Sequence, residues 1–318
     1  MNATTTRLAL RLHRFELLGL GALIVVACAL TVLVSSWMDG AGFGPECVRQ
    51  MLAGASSSST CERAQRAFDA ARSAPLVGMT QFLLAGIPFL LGAMAGVAVV
   101  GRELERGTTR LAWALAPSRT RWFVGRVVPV LIVVLALSFL AGAAADRLAR
   151  AMSPETDTAN GFLLFGFRGV VLASRATFGF AVAVLAGAAI GRALPALLVA
   201  AVITLVGLTG GSAVHTRILE REAVPLVGDM YRQENLYFAS GFVLPDGRFV
   251  GWEEMTAIEP MPADGSTDWP GPLYRQASLV VPGSRYRFVE ARESLVLTGG
   301  AFVALALAGL VVRRLRPG

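Results

Sequence analysis

Residues 101–121 read GRELERGTTRLAWALAPSRTR and stand between two apolar runs, residues 76–100 and residues 122–145. The stretch holds five arginines and two glutamates, whereas each neighbouring run carries at most one charged residue. Both runs are longer than the roughly 20 apolar residues that a helix needs to cross a bilayer. The pattern predicts two membrane-spanning helices joined by a short polar hairpin.

The composition of the whole chain supports a membrane protein. Of its 318 residues, 54% are hydrophobic and 16% are charged, and the mean hydropathy is +0.59. Soluble domains usually have about 25% charged residues. All 29 basic residues are arginine, and the pI is near 10.3. We interpret this basicity as arginine at the cytosolic ends of spans, in contact with lipid headgroups, and expect no nucleic-acid partner.

The apolar runs predict an all-α polytopic membrane protein with six spans. Residues 1–16 place Arg7, Arg11 and Arg14 beside an apolar stripe, which predicts an amphipathic elbow helix lying in the membrane interface. A cleaved signal peptide is the competing interpretation, but the first run is too long for one and no A-x-A site follows it. The predicted spans are residues 17–37, 76–100, 122–145, 170–190, 193–213 and the last one within 294–318.

Charge counting sets the orientation. With both termini in the cytosol, the inner segments 1–16, 101–126, 191–192 and 313–318 hold 13 arginines and three glutamates. Residues 214–293 hold eight arginines and 12 acidic residues, and six spans place this segment outside. The positive-inside rule therefore predicts a multi-pass protein of the cytoplasmic membrane with cytosolic termini.

The polar segments outside the membrane carry two further predictions. Cys47 and Cys61 can form a disulfide, which would restrict the denatured chain by about 3 kcal/mol, or can remain two free thiols. The pattern from residue 61 to residue 72 is typical of a helix. Residues 214–293 predict a small, partly β extracytoplasmic domain with two strands around a turn at residues 245–247.

Within the spans, a few residues predict specific packing. Gly92 and Gly96 form a small face that lets helix backbones approach closely, and Pro88 predicts a kink. Arg168 and Arg175 lie on one helical face, where a charge at membrane depth normally meets a partner or a wet cavity. The candidate partners are Asp146, Glu290 and Glu293.

The competing interpretation is that both arginines reach the outer headgroups without a protein partner. The apolar piece at residues 162–167 is too short to span the bilayer and predicts a re-entrant or interfacial segment.

Capping signals divide residues 101–121 into two helix ends around one short helix. Gly107 suits the position that ends the second span, and Thr108 suits the N-cap of a helix over residues 109–116. Pro117 would stop that helix, and Ser118 would cap the third span.

A helix of about eight residues is not stable alone in water, so this helix must dock. Its apolar side chains are Leu111, Trp113 and Leu115. They can face either a protein partner or the bilayer surface.

No catalytic or metal-binding motif is present in the sequence. A phosphate-binding G-x-x-x-x-G-K-[ST] loop needs lysine, which this chain lacks, and neither HExxH nor GxSxG occurs. With two histidines and no C-x-x-C, a zinc site is not expected. We expect that the chain is not an enzyme and holds no cofactor or metal.

The string ELERGTTRLAWALAPSRTRW at residues 103–122 resembles the cytosolic motif of ABC-2-type permeases, the membrane subunits of ABC exporters. Residues 282–294 also resemble the entry to the last span in actinobacterial members, with Glu293 at an acidic position and Arg287 where those members have an aromatic residue. The matching hairpin residues are Glu105, Gly107, Thr108, Leu111, Pro117, Ser118 and Arg119.

The resemblance implies a permease that pairs with a second permease copy and binds a separate ABC ATPase subunit, which carries the ATP and magnesium. The implied cargo is hydrophobic or amphiphilic: a drug, antibiotic, lipid or peptide. ATPase coupling is implied for Glu103, Arg106, Trp113 and Leu115 together with the matching residues above. The alternative function is a membrane-anchored sensor or assembly factor that binds an extracellular ligand through residues 214–293.

Overall fold

The computed structural model describes residues 11, 14–52, 58–115, 118–154, 159–228, 234–260, 269, 271 and 273–315. In that part of the chain, six helices are long and apolar enough to cross a membrane. The six candidate spans are Arg14–Gly40, Pro75–Glu105, Arg119–Met152, Gly169–Ile190, Ala193–Glu222 and Gly283–Arg314. The prediction of a mostly helical protein with six such helices is confirmed.

The chain is built from eleven α-helices and four strands in its described part. The helices are α1 Arg14–Gly40, α2 Pro45–Leu52, α3 Ser59–Arg72, α4 Pro75–Phe89, α5 Ala95–Glu105, α6 Thr109–Leu115, α7 Arg119–Met152, α8 Gly169–Ile190, α9 Ala193–Glu222, α10 Trp252–Ile258 and α11 Tyr286–Arg314. The strands are β1 Val224–Val227, β2 Leu236–Val243, β3 Phe249–Gly251 and β4 Arg275–Val281.

Several helices continue beyond the apolar runs that predicted them. Helix α7 has 34 residues and α9 has 30. Most of residues 1–13 lie outside the described part, so the elbow helix stays a prediction. Residues 161–168 form no helix; they are a series of turns with positive φ at Leu164 and Gly166.

A π-helical turn, Leu90–Met94, joins α4 to α5 directly after Pro88. Proline has no N–H to donate, and a π-turn is one of the ways in which a helix accommodates that loss. The sequence predicted a disturbance at Pro88, but not that it would take the form of an inserted turn. This turn places Gly92 beside α8.

The backbones of the π-turn and of α5 meet the backbone of α8 at glycines. A Cβ on Gly92 would lie 2.7 Å from the nitrogen of Phe180, and one on Gly96 would lie 2.5 Å from its carbonyl oxygen. Further along the same contact, a Cβ on Gly187 would lie 3.2 Å from the nitrogen of Gly101. The small face therefore lets two backbones touch. Phe180 is fully buried there.

The chain forms two compact units. The first consists of Met1–Glu155, Leu164–Gly211 and Glu290–Gly318, and the second of Thr156–Leu163 and Ser212–Val289. In the first unit, α8 packs against α5 and α7, and α1 packs against α7.

The second unit contains a four-stranded antiparallel sheet in the order β1-β4-β2-β3. The predicted turn at residues 245–247 is confirmed, with Gly247 at φ +85° between β2 and β3. Phe242, Val250 and Met255 form the buried core of this unit, and the indole of Trp252 packs edge-on against Phe242.

A disulfide between Cys47 and Cys61 joins α2 to α3, with the two Cα atoms 5.4 Å apart. The ring of Phe43 packs 5.1 Å from that of Phe68, and the Ser58 side chain caps α3 by accepting from the Cys61 N–H. The helix predicted from residue 61 to residue 72 is confirmed as part of α3. The third cysteine, Cys28, is free and lies in α1.

The close backbone contact at Gly96 predicts that a larger residue at this position lowers the stability of the protein. We expect Gly96→Ala to lower the free energy of unfolding by about 1–3 kcal/mol, because the added methyl group would push against the backbone of α8. The control is Gly78→Ala in α4, where nothing lies within 4 Å of the added Cβ. SDS titration of the purified protein in mixed micelles measures the free energy of unfolding of both variants. Equal stability of the two variants would contradict the packing described.

The disulfide predicts a labelling pattern. A maleimide polymer applied to the SDS-denatured chain should add one label, at Cys28, without reductant and three labels after reduction. The Cys28→Ala variant should add no label without reductant and two labels after reduction. Three labels on the unreduced chain would show that Cys47 and Cys61 are free thiols.

Candidate functional site

The hairpin, residues 101–121, turns at Gly107. Helix α5 ends at Glu105, and Gly107 follows with φ +69°, a conformation that glycine adopts without strain. Its N–H donates to the carbonyl of Leu104 over 3.1 Å. The Thr108 hydroxyl donates back to the carbonyl of Glu103 over 3.3 Å. The turn thus satisfies the end of α5 and starts α6.

The N-cap predicted at Ser118 is confirmed at the start of α7. The Ser118 hydroxyl accepts the N–H of Arg121 over 3.1 Å, which is the N-cap bond. Pro117 lies outside the described part of the chain, as do the side chains of Leu111 and Leu115. The role predicted for these three residues stays a prediction.

Three acidic side chains fix the hairpin to the rest of the first unit. Glu103 pairs with Arg126 of α7 over 3.0 Å, and both side chains are mostly buried. Glu105 accepts the N–H of Ala193 over 3.0 Å, at the start of α9. Arg102 pairs with Glu16 of α1. These partners are distant in sequence, so no local pattern could have revealed them.

Two aromatic contacts of the hairpin involve Trp113. The guanidinium of Arg119 lies over the Trp113 ring, 4.6 Å from its centroid, within the range of a cation–π interaction. The ring of Trp122 meets Trp113 edge-on, with the centroids 6.0 Å apart. Trp113 is therefore half-buried against its own chain, whereas Arg106 and Gly107 are exposed.

Arg119 also reaches the last helix. Its Nη1 donates to the carbonyl of Arg313 over 3.1 Å and to the carbonyl of Leu315. These carbonyls belong to the end of α11, where a helix lacks internal donors for its last oxygens. One side chain thus contacts both the short helix α6 and the end of α11.

At the opposite end of the first unit, two arginines are paired. Arg175 donates from Nε and Nη2 to Oε1 of Glu293 over 2.9 and 2.6 Å, and the two side chains are only 14% and 12% exposed. Arg168 donates from Nε to Oδ1 of Asp146 over 2.6 Å. The structure thus places both arginines on carboxylates instead of extending them alone toward headgroups.

Two glycines make room for these charges. A Cβ on Gly166, which has φ +92°, would lie 2.6 Å from Cζ of Arg175. A Cβ on Gly169, with φ +47°, would lie 3.3 Å from Oε1 of the buried Glu290. The turns of residues 164–168 therefore lie directly against the paired guanidinium.

The Glu103–Arg126 ion pair predicts that exchanging the two charges restores stability that either single reversal loses. Glu103→Arg and Arg126→Glu should each lower the free energy of unfolding by about 2 kcal/mol, less than the roughly 3–5 kcal/mol of a fully buried pair. The double variant should recover most of the loss. Arg106→Glu, an exposed charge reversal in the same hairpin, is the matched control. Additive losses in the double variant would show that the two side chains are not coupled.

Comparison with known protein families finds a match to "ABC-2 membrane transporter related" over residues 20–214. The matched range includes the hairpin, Arg168 and Arg175, and it ends before Glu293 and α11. Comparisons with curated proteins and with solved structures find no match. Because the family match extends over more than half of the 318 residues, the chain belongs to the ABC-2 membrane transporter related family, and it is a multi-pass membrane protein.

Proposed function

We propose that this chain is the permease subunit of an ATP-driven ABC exporter and that the hairpin, residues 101–121, is its contact with a separate ATPase subunit. Membership of an ABC-2 membrane transporter family supports a transport role. The observation that carries the proposal is α6, a seven-residue helix isolated between the turn at Gly107 and the cap at Ser118. A helix this short persists only by packing, and the chain holds it through Trp113.

The arginine distribution supports a cytosolic hairpin. The hairpin arginines lie at the same end of the first unit as Arg14, Arg313 and Arg314, and the positive-inside rule assigns such a basic end to the cytosol. The protein then lies in the cytoplasmic membrane with both termini in the cytosol and residues 214–293 outside. The exposed Arg106 beside Gly107 is available for contact with the ATPase.

The chain supplies no nucleotide chemistry of its own in this proposal. It has no lysine and hence no lysine-containing phosphate loop, so ATP and magnesium bind to the partner. The ATPase acts as a pair and the permease is present in two copies. ATP closes the ATPase pair, and α6 carries the resulting motion into the bundle.

The cargo proposed is hydrophobic or amphiphilic: a drug, antibiotic, lipid or peptide. The buried faces of the long helices support this class, because they consist mostly of alanine, valine and leucine. Three arginine–carboxylate pairs lie at the two ends of the first unit, Glu103–Arg126 at one end and Asp146–Arg168 and Glu293–Arg175 at the other. An apolar interior suits an apolar substrate, since a strongly charged one would lose its hydration without gaining partners.

The double variant Gly107→Pro/Trp113→Ala should abolish ATPase recovery. Proline fixes φ near −65° and cannot adopt the +69° of Gly107, and the alanine removes the ring that holds α6. The measurement is the amount of ATPase that copurifies from native membranes, identified by mass spectrometry through its G-x-x-x-x-G-K-[ST] sequence.

The matched control is Gly107→Asn, because asparagine tolerates the left-handed conformation. This variant should retain most of the ATPase. Undiminished recovery with the double variant would show that the hairpin is not the docking site.

A further inference from the structure

The last helix, α11, is held at both of its ends by arginines from other helices. At one end, Arg119 donates to the carbonyls of Arg313 and Leu315. At the other, Glu293 accepts two N–H groups of Arg175. Glu293 and Arg313 are 20 residues apart in α11, a rise of about 30 Å, which is the thickness of the hydrocarbon core of a bilayer. The two contacts therefore lie on opposite sides of the membrane-spanning part.

Between these ends, α11 packs through small residues. Apart from Ser294 and Val312, which lie near the two ends, its buried residues over 294–314 are alanines, namely Ala301, Ala304 and Ala308. A Cβ on Gly300 would lie 3.3 Å from the Phe178 ring, and one on Gly309 would lie 3.7 Å from the Phe123 ring.

The α11 side of this contact is shallow, because its buried side chains between Ser294 and Val312 are those of alanines. Much of the rest of the helix is exposed, including Leu295 and Phe302. The directional contacts of α11 described above lie at its ends, and on α11 no buried side chain larger than that of alanine fixes its middle.

The contact at the hairpin end also includes α6. The same guanidinium that donates to the end of α11 lies 4.6 Å from the centroid of Trp113. A displacement of α6 must therefore either carry Arg119 and the end of α11 with it or break one of these two contacts. Helix α11 is thereby connected to the element that the ATPase is proposed to move.

Arg175 is also positioned by contacts outside α11. Arg168 is fixed to Asp146, which joins the start of α8 to α7. Arg175 lies against Gly166, in the turns that lead into α8. These contacts hold the start of α8 to α7, so a shift of α11 relative to α8 would separate Glu293 from Arg175.

We propose that Arg119 and the Arg175–Glu293 pair are positioning residues that make α11 the mechanical connection between the docking helix α6 and the opposite side of the membrane. Motion of α6 shifts α11 along its alanine face and separates Glu293 from Arg175, which opens the first unit at that end. The inference rests on the proposed transport function, because an ATPase must move α6, but its test uses this chain alone.

The test measures solvent access at the Glu293 end of α11 after the contact of Arg119 at the other end has been removed. Ser294, 8% exposed and next to Glu293, is replaced by cysteine in a Cys28→Ala background, and the oxidised Cys47–Cys61 pair stays unreactive. The full chain is placed in lipid nanodiscs, where a maleimide that does not cross membranes reaches both faces. The rate of labelling reports how often this end opens.

We expect slow labelling of Ser294→Cys in the parent and a rate about tenfold higher with Glu293→Gln, a factor that corresponds to about 1.4 kcal/mol. Arg119→Ala, at the far end of the helix, should raise the rate by a similar factor. Arg121→Ala is the matched control, since this exposed arginine is two residues further along α7. Its labelling rate should equal that of the parent.

A second reporter separates movement of α11 from general loosening. Ser174→Cys lies on α8 beside Arg175 and is 5% exposed. It should stay slow in Arg119→Ala, because α8 keeps its other contacts. Fast labelling of both reporters in Arg119→Ala would show that the substitution loosens the whole bundle, and it would overturn the proposal.

An unchanged rate at Ser294→Cys in Arg119→Ala would also overturn the proposal, and so would an unchanged rate in Glu293→Gln. Each of these results leaves ATPase binding by the hairpin untouched. Conversely, the copurification experiment measures only whether the hairpin binds the ATPase, and its result does not depend on the role of α11. The two proposals can therefore fail separately.

Discussion

The backbone contact between α5 and α8 is the constraint on which the rest of the first unit depends. With glycine at positions 92 and 96, α8 lies so close that a methyl group would enter its backbone. The same contact continues to Gly101 and Gly187, where the hairpin begins. Helix α8 also carries Arg175 near its other end. One close helix pair therefore sets the position of the docking hairpin and of the paired charges on the opposite side.

Arginine is the second organising element of the first unit. A guanidinium near the bilayer is costly unless it meets a carboxylate or carbonyl oxygens, and the fold supplies such partners to Arg126, Arg168 and Arg175. For the hairpin, this has a mechanical consequence. Glu103 and Arg119, which the resemblance assigned to ATPase coupling, are engaged within their own chain. They influence docking by fixing where α6 lies, and exposed groups such as Arg106 remain for direct contact.

The sequence was informative wherever a feature depends on a few neighbouring residues. Apolar length predicted the six long helices, and local chemistry predicted the turn at Gly107, the cap at Ser118 and the turn at residues 245–247. Features that depend on distant partners were not predictable. The sequence offered three acidic residues as candidate partners of Arg175, and the ion pair with Glu293 is seen only in the packed fold. The π-turn after Pro88 and the Glu103–Arg126 pair likewise require the neighbouring helices to be in place.

The limits of the family match bear on the proposed role of α11. The matched range, residues 20–214, contains Arg119 and Arg175, whereas Glu293 and the end of α11 lie beyond it. Each of the two arginine contacts therefore joins the matched part of the chain to the unmatched last helix. At the hairpin end the acceptors are backbone carbonyls, which any helix end provides. At the other end the acceptor is a specific carboxylate. The specificity of this connection therefore resides at Glu293, on the side away from the docking helix.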